Sequence, residues 1–472
     1  MSAARRWRAA AVGLVVAALA LAGCTEPGDD DPGPDPTAAP TSTGGDDDAP
    51  REAFDGGVLG AKWDQARTDA FDPYLRELGA GPTFSEVVWC EIEPVQGQRD
   101  WTSLDAFVAR ADELASTLLL KIRVGQCWTT GQAPQQARGN KTESGVPRDT
   151  DEYRDFVTEL VTRYSAKGVS RYAVENEVNS PSFWAGTSQE YRELVEVAAE
   201  TIRAADPDAL VLDSGLSSVS YGAGAARRLL DEGRDDEAVA AWNTYYERRM
   251  GTRGRNLVEA ADADELEALL GREQAARNIE YLDLASDLAA DGVVDVRQVH
   301  FYETWRGVPV LFGLLRATTP DDVPLELWEV GLFRRGQDVP IDQAADETVQ
   351  TSAALLAEGA ALVVWLPLAF NPSGRNPDEP RTGLLEPQGE VRPTGERYAE
   401  LAAAARDAVP VPVATDDVVG VVLEKPEGST AFVWSRRGEV DAETAGGELR
   451  LTPAPTRVEV EGSVDDFVAG LP

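Results

Sequence analysis

Short apolar runs alternate with amphipathic segments through the middle of the chain. In the clearest amphipathic segments, which begin at Leu104, Tyr153 and Tyr191, apolar residues recur at the spacing of a helix with one buried face. The apolar runs between such segments predict eight strands: Val58–Trp63, Thr83–Trp89, Leu118–Val124, Arg171–Asn176, Leu210–Ser214, Val296–Tyr302, Leu325–Glu329 and Leu362–Pro367. This alternation predicts a parallel sheet covered by helices.

Eight strands in this order favour a (β/α)8 TIM barrel over residues 53–407. An open, doubly wound sheet is the competing architecture, but it usually has fewer strands and a glycine-rich first turn, which this sequence lacks. Residues 221–291 predict a helical insertion after the fifth strand, either as decoration or as a wall over the barrel mouth. Short β-type runs over 408–472 predict a small C-terminal antiparallel β-sandwich, which we expect to pack against the barrel and not to act as a separate binding module.

The first residues predict export. Arg5, Arg6 and Arg8 precede an apolar run that ends in Leu-Ala-Gly-Cys at Cys24. This ending resembles the bacterial lipobox, which implies cleavage before Cys24 and a lipid anchor on its sulfur; a plain secretory signal is the alternative. Residues 25–52 are rich in Pro, Gly, Thr and Asp and predict a disordered acidic tether. The expected location is the outer face of the bacterial cell membrane.

The amino-acid composition excludes several classes of function and of catalytic site. The 472 residues include 44 Lys and Arg against 82 Asp and Glu, a net charge of −38, which excludes nucleic-acid binding through bulk positive charge. One histidine and three cysteines exclude multi-histidine and cysteine-rich zinc sites, so we expect no metal and no cofactor. The chain contains neither a G-x-S-x-G elbow nor a P-loop. Carboxylates remain as the candidate reactive groups.

Two cysteines lie at the ends of consecutive predicted strands. If the chain is exported, Cys90 and Cys127 are in an environment where disulfides persist. A Cys90–Cys127 bridge and two buried free thiols are both compatible with the sequence.

Two glutamates fall at strand ends, where a barrel places its active site. Glu177 follows Asn176 at the end of the fourth strand, and Glu329 ends the seventh. A carboxylate pair with aromatic neighbours suits cleavage of glycosidic bonds. The alternative is that both are structural carboxylates in salt bridges.

The motifs resemble those of the retaining glycoside hydrolases of clan A, including families 5 and 39. The resemblance rests on segments in matching order: Trp89…Glu93-Pro94…Gly97…Asp100-Trp101…Leu104-Asp105, Asn176-Glu177, His300-Phe301-Tyr302, Glu329-Val330-Gly331, and Gly383-Leu384-Leu385-Glu386 with Gly389 and Arg392-Pro393. The long insertion departs from the pattern, and so does Val178, where many members carry proline.

The resemblance implies catalytic roles for the two glutamates. Glu329 would attack the anomeric carbon, and Glu177 would serve first as acid and then as base. Glu329 must be ionised for this reaction, and Tyr302 is expected to donate a hydrogen bond to it.

The resemblance also implies sugar contacts. Asn176 would hold the sugar 2-hydroxyl, His300 would line the pocket, and Trp365 would lie under the first sugar. Trp89 and Trp184 are further candidate substrate contacts. Packing in the barrel core is the alternative for His300, Trp89 and Trp365, whereas Trp128, Trp184 and Trp305 are either sugar platforms or loop anchors.

The alternation of side chains along a strand predicts which face of the sheet the neighbouring charged residues occupy. Glu175 and Glu326 have the opposite parity to Asn176 and Glu329, so both are expected to face the helices. Lys62 and Arg123 end the first and third strands, where salt bridges are favoured over substrate binding.

Two function classes follow. The first is a retaining glycoside hydrolase, expected to be monomeric, that cleaves β-glycosidic bonds in oligo- or polysaccharides. The second is a non-catalytic, cell-surface carbohydrate-binding barrel. The presence of both carboxylates and of Asn176 favours the enzyme, since a decayed enzyme usually loses one of these groups. A barrel hydrolase of another class is disfavoured because the ligands of a metal site are missing.

Overall fold

The computed structural model describes residues 57–63, 68–79, 81–130, 136–137, 140–141, 143–250, 257–332, 340–369 and 383–472. The expected signal peptide (1–24), its lipidation site Cys24 and the expected tether (25–52) lie outside these residues. In the described ranges, no helix combines the length and the apolar character needed to cross a membrane.

Strands and helices alternate through most of the chain. The strands are β1 (Leu59–Ala61), β2 (Pro82–Val88), β3 (Thr117–Arg123), β4 (Gln136–Ala137), β5 (Asn140–Lys141), β6 (Arg171–Val174), β7 (Leu210–Leu212), β8 (Arg297–Phe301), β9 (Leu325–Val330), β10 (Leu362–Trp365), β11 (Val409–Ala414), β12 (Val418–Glu424), β13 (Ser429–Ser435), β14 (Val440–Thr444), β15 (Gly447–Leu451) and β16 (Thr456–Val460). The helices are α1 (Thr68–Leu78), α2 (Trp89–Ile92), α3 (Thr102–Glu113), α4 (Thr150–Ser165), α5 (Ser188–Ala205), α6 (Val219–Asp231), α7 (Asp235–Tyr245), α8 (Ala263–Leu270), α9 (Glu273–Ala290), α10 (Val308–Thr318), α11 (Ile341–Ala357), α12 (Pro393–Ala405) and α13 (Val464–Ala469).

The parallel strands form two four-stranded sheets, in the orders β2-β3-β6-β7 and β8-β9-β10-β1. An isolated parallel bridge between Leu212 and Val296 joins the sheets at β7 and β8. At the other boundary β1 lies against β2, and Gly60 is required there because a Cβ would stand 2.0 Å from the carbonyl oxygen of Pro82. Spatial order therefore follows chain order, as in a (β/α)8 barrel, and each of the eight predicted strands is present with slightly different ends.

Carboxylates supplement the backbone hydrogen bonds between β7 and β8. Asp295 Oδ2 accepts a hydrogen bond of 2.9 Å from the Val211 N–H. On the other side, Asp213 Oδ1 accepts one of 3.0 Å from the Gln298 N–H, and Asp213 Oδ2 accepts one of 2.8 Å from Arg297 Nε. These side chains hold the two sheets together where the backbone ladder is short.

The core has an inner and an outer part. The inner cluster fills the space enclosed by the parallel strands: Phe84, Leu119, Ala173, Leu212, Val296, Trp328, Leu362 and Val364. The outer part lies between strands and helices; α4 contributes the apolar positions that the sequence pattern predicts, which are Tyr153, Phe156, Val157, Leu160, Val161 and Tyr164. The N-terminus of α4 is capped by Asp149 and that of α5 by a Thr187–Glu190 capping box, as expected where polar residues precede an apolar pattern.

The segment between β7 and β8 is helical and comprises α6 to α9. It is tied to the chain that follows β6. Asn179 Nδ2 lies 2.8 Å from Ser220 Oγ on α6 and 2.9 Å from Asn278 Oδ1 on α9, and Arg277 donates to the Asn179 carbonyl. These helices therefore buttress the loop that carries Glu177.

The C-terminal strands form an antiparallel sheet in the order β11-β12-β13-β16, with β14 and β15 as a separate hairpin. The sheet, the hairpin and α13 share one apolar cluster, which includes Val433, Leu451 and Phe467. The expected sandwich therefore has a hairpin and a short helix as its second layer. This unit contacts the rest of the chain through Trp434, whose ring lies 5.3 Å from that of Trp305.

Candidate active site

A β-bulge positions Glu329 near the end of β9. The pairing of β9 with β8 changes register between Glu326, which pairs with Gln298, and Glu329, which pairs with His300. A bulge adds a residue on one strand, so strict alternation fails across it. The prediction that Glu326 faces the helices is wrong: it is buried and accepts a hydrogen bond of 2.9 Å from Arg171 on β6, a strand that β9 does not pair with.

A left-handed backbone positions Glu177. Strand β6 ends at Val174, and Glu175 and Glu177 then have φ values of 67° and 42°. Such conformations cost about 1–3 kcal/mol for residues other than glycine and persist where the surroundings enforce them. The carboxylate of Glu175 is buried and accepts hydrogen bonds from the Val124 N–H and Ser144 Oγ. Burial and the Glu175 charge raise the pKa of Tyr153 on α4, so this carboxylate lies close to the helices, as its parity predicts.

The two candidate catalytic carboxylates meet across His300. The imidazole is fully buried, with Nδ1 3.0 Å from Glu177 Oε1 and 3.6 Å from Glu329 Oε2. One oxygen of each carboxylate and a ring nitrogen of His300 all lie within 4.8 Å of one another. His300 thus orients both carboxylates instead of lining the pocket as a substrate contact.

Two further groups hold Glu329. Tyr302 donates a hydrogen bond of 2.8 Å to Glu329 Oε2, the contact expected from the sequence. Lys121, on β3, donates one of 2.6 Å to Glu329 Oε1 and one of 2.8 Å to Asn176 Oδ1. Asn176 therefore lies beside the nucleophile candidate, with its amide oxygen already occupied.

The electrostatics favour an ionised Glu329. Burial would raise the pKa of this carboxyl, but His300, Lys121 and Lys62 together hold it well below its usual range. Burial and the two neighbouring carboxylates raise the pKa of Tyr302 well above its usual range, which keeps the phenol a neutral hydrogen-bond donor. The site therefore contains an ionised carboxylate with two donors, next to a second carboxylate that contacts histidine.

Sequence reasoning missed Lys121. It alternates with Leu120 and Ile122, which pack in the outer core, so parity places it on the inner face of β3. A charged residue within a buried strand requires a partner, and this was the available signal. Lys62 and Arg123, which the sequence did single out, both bind Glu86 at the mouth, at 3.5 and 2.8 Å.

The three tryptophans expected to contact sugar do not offer a surface for it. Trp89 and Trp365 are 0% exposed and Trp184 is 1% exposed. Trp89 stacks on Phe156 of α4, and Trp365 lies against Tyr398 of α12, so these rings pack beneath the helices. Trp365 shares this orientation with Val363, whereas Val364 points to the inner cluster.

Trp184, Trp128 and Trp305 are each held by a contact to another part of the chain; Trp128 is only partly buried, so a sugar platform at this ring stays a prediction. Trp184 donates to the Thr187 carbonyl, and Trp128 donates to the Glu93 carbonyl at 2.7 Å. Trp305 contacts Trp434 of the C-terminal sheet. Cys90 and Cys127 form a disulfide that links the start of α2 to the chain after β3, which resolves the two alternatives left by the sequence.

The cluster of Glu177, His300 and Glu329 has dimensions that would also suit a metal ion. However, the Lys121 ammonium lies 2.6 Å from Glu329 Oε1 and 3.3 Å from His300 Nε2. A divalent cation would be repelled by this buried positive charge at short range. Carboxylate chemistry without a metal fits these side chains better.

No known family pattern and no curated protein sequence matches the chain. Solved structures do resemble it. A family 39 glycoside hydrolase from the gut symbiont Bacteroides cellulosilyticus WH2 aligns with a TM-score of 0.60 and 13% identity, over 87% of this chain and 82% of that one. A monomeric β-xylosidase from Caulobacter crescentus CB15 aligns with a TM-score of 0.53 and 14% identity, over 83% and 80% of the two chains.

A glucosidase from Croceicoccus marinus gives a TM-score of 0.51 and 12% identity, over 86% of this chain and 82% of that one. At such identities the likeness concerns the fold. The protein therefore shares the fold of these glycoside hydrolases, with parallel strands in a TIM-barrel arrangement followed by a C-terminal antiparallel sheet.

Proposed function

We propose that this protein is a retaining glycoside hydrolase that cleaves β-glycosidic bonds in oligo- or polysaccharides. The observation that carries the proposal is the pair Glu177 and Glu329, whose nearest oxygens lie within 4.8 Å. Retaining enzymes hold their carboxyl groups about 5–5.5 Å apart, whereas inverting enzymes need about 6.5–9.5 Å to admit a water. The fold shared with glycoside hydrolases supports the same conclusion.

Glu329 acts as the nucleophile. Its carboxylate oxygen forms a bond to the anomeric carbon while the bond from that carbon to the leaving oxygen breaks. Lys121 and Tyr302 each donate to a different oxygen of Glu329, which fixes the carboxylate plane before attack. An orientation set in advance removes entropy from the barrier.

Glu177 acts as the proton donor and acceptor. Its proton passes to the leaving oxygen in the first step; in the second step Glu177 takes a proton from water, and the water oxygen attacks the anomeric carbon and releases Glu329. The side chain of Glu177 is 16% exposed while that of His300 is fully buried, so the acid is reachable from the mouth and the imidazole orients it from behind.

The test is trapping of the covalent intermediate. The full chain, purified in detergent, is incubated with activated 2-fluoro-glycosides of several sugars and analysed by mass spectrometry and peptide mapping. We expect one adduct, on Glu329, and none in Glu329→Gln. Glu113→Gln, at a glutamate 63% exposed on α3, serves as the control and should label as wild type does.

A folded protein that binds oligosaccharides but forms no adduct with any sugar would refute the enzyme and leave the non-catalytic binding barrel. Glu177→Gln offers a second test, because azide should restore turnover of substrates with good leaving groups by taking the place of the deprotonated water. If wild type is active and azide does not restore turnover in Glu177→Gln, Glu177 is not the acid and base of the reaction.

We also propose, from the sequence of residues 1–52, that the enzyme is a lipoprotein anchored to the outer face of the cell membrane through Cys24. Its substrate would then be an external glycan. The anchor predicts incorporation of labelled palmitate and recovery in the membrane fraction, both lost in Cys24→Ala. Labelling that persists in this variant would contradict the proposal.

A further inference from the structure

Lys121 is a fully buried ammonium group inside the barrel. Its side chain is 0% exposed, and Nζ lies 2.6 Å from Glu329 Oε1, 2.8 Å from Asn176 Oδ1 and 3.3 Å from His300 Nε2. Nζ also lies 4.4 Å from the centre of the Phe84 ring. Burying an ammonium group costs free energy unless the group is paired and hydrogen-bonded. An apolar side chain would fill this space without that cost, so packing alone does not account for a lysine here.

We propose that Lys121 is a positioning residue that fixes the nucleophile Glu329 and the sugar-binding amide of Asn176 relative to each other. The inference rests on the proposed function, because it assigns these two neighbours to the reaction. It goes beyond that function because it assigns two effects to one charged group on β3. Lys121 keeps the carboxyl group of Glu329 ionised, and it determines which way the side-chain amide of Asn176 is oriented.

The first consequence concerns Asn176. An ammonium group has donors only, so it selects the amide oxygen as its partner and leaves the NH2 group to donate elsewhere. That NH2 group is then available for a sugar hydroxyl next to the anomeric carbon. Without Lys121 the amide has no fixed orientation, because oxygen and nitrogen are nearly equal in size.

The second consequence concerns Glu329. The titratable groups around it come from several elements: Lys62 after β1, Lys121 on β3, Glu177 after β6, and His300 and Tyr302 at the end of β8. Glu86 on β2 acts on Lys121. Lys121 donates the shortest of the hydrogen bonds described for Glu329. Burial and the carboxylate of Glu177 both raise the pKa of Glu329, and the positive charge of Lys121 lowers it. Removal of Lys121 must therefore raise the pKa of Glu329.

The test compares Lys121→Met, which keeps length without charge, with the conservative Lys121→Arg. Lys167→Met, at a lysine 46% exposed beside α4, is the control. Circular dichroism and a thermal melt show that each variant is folded. In protein labelled with 13C at glutamate side chains, Glu329 is assigned by its absence in Glu329→Gln and titrated in every variant; this readout does not require turnover.

We expect the titration of Glu329, and the acidic limb of kcat/KM, to move up by at least about one pH unit in Lys121→Met, with smaller changes in Lys121→Arg and none in Lys167→Met. We also expect Lys121→Met to reduce discrimination between a β-glycoside and its 2-deoxy analogue about tenfold or more. In an Asn176→Ala background the same change should alter that ratio little, because the amide is already gone.

If Glu329 titrates in folded Lys121→Met as it does in wild type, the inference is overturned. It is also overturned if Lys121→Met lowers kcat but changes neither the acidic limb of kcat/KM nor the discrimination between the β-glycoside and its 2-deoxy analogue. If wild type hydrolyses no glycoside, the proposed function fails, while the glutamate titration still decides whether Lys121 controls Glu329. The two failures are therefore separable.

Discussion

The junction of β7 and β8 makes the stability of the barrel depend on one buried carboxylate. The side chains of Asp213 and Arg297 are 2% and 1% exposed, and Arg297 Nε lies 2.8 Å from Asp213 Oδ2. Asp213 Oδ1 also accepts from the backbone N–H groups of Gly215 and Gln298. Asp213→Ala would leave a buried guanidinium without its carboxylate and two N–H groups without this acceptor.

The expected loss follows from these contacts. Removing one partner of a buried ion pair costs about 3–5 kcal/mol. Each unpaired N–H adds about 1 kcal/mol or more. We therefore expect Asp213→Ala to lower the free energy of unfolding by about 5 kcal/mol, a large part of the roughly 5–15 kcal/mol typical of globular proteins. Asp213→Asn retains an acceptor and should lose less.

The assay is urea unfolding followed by tryptophan fluorescence at neutral pH. Asp441→Ala is the control, since Asp441 pairs with Arg450 at side-chain exposures of 73% and 65%, where an ion pair contributes little to stability. Burial raises the pKa of Asp213 in spite of Arg297, so desolvation opposes this pair. An apolar pair, Asp213→Leu with Arg297→Met, should thus recover most of the loss.

The reasoning would be refuted if Asp213→Ala lost no more stability than Asp441→Ala. It would also be refuted if the apolar double variant were no better than the single one. In either case the contacts between β7 and β8 would not limit the stability of the fold.

Three other measurements bear on the structure. Replacing Cys90 and Cys127 together by serine opens a disulfide with a sequence separation of 37, which should lower the free energy of unfolding by about 4 kcal/mol; a thermal melt equal to that of wild type would contradict it. Trp365→Phe should lower that free energy by about 2 kcal/mol with KM within about twofold, because the ring is buried beneath α12; a tenfold rise in KM with an unchanged melt would return Trp365 to the sugar site. The pKa of Glu329 is lower in the folded protein than its ordinary value of 4.5, so the carboxylate stabilises the fold at higher pH and this contribution is lost as pH falls. The stability difference between wild type and Glu329→Gln should therefore be constant above about pH 5 and shrink at lower pH; urea midpoints that diverge on acidification would contradict this.

The fold could be predicted from the periodic spacing of apolar residues within short segments of the chain. The spacing of apolar residues in α4 and α5 identifies one buried face, and those residues are buried. The runs that predict strands coincide with the eight parallel strands because their residues are buried on both faces of the sheet. The order of polar residues at the strand ends also brought Glu177, His300, Tyr302 and Glu329 into one candidate site.

Parity arguments failed where the backbone departs from a regular strand. Glu326 faces the interior because a bulge shifts the register before Glu329. Trp365 lies on the outer face of β10 with Val363, so it packs against Tyr398 and not under a sugar.

The amino-acid sequence fixes which segments become strands and helices, because burial of one face follows from spacing along a single chain. It also limits the chemistry to carboxylates, because composition excludes most other catalytic groups. The tertiary structure alone decides which charges meet. Lys121 and Glu329 are 208 positions apart, and their 2.6 Å contact arises only when β3 and β9 face each other across the barrel interior. Such a contact depends on strand register and on local breaks in alternation, which are set by packing between distant segments and leave no periodic signal in either one.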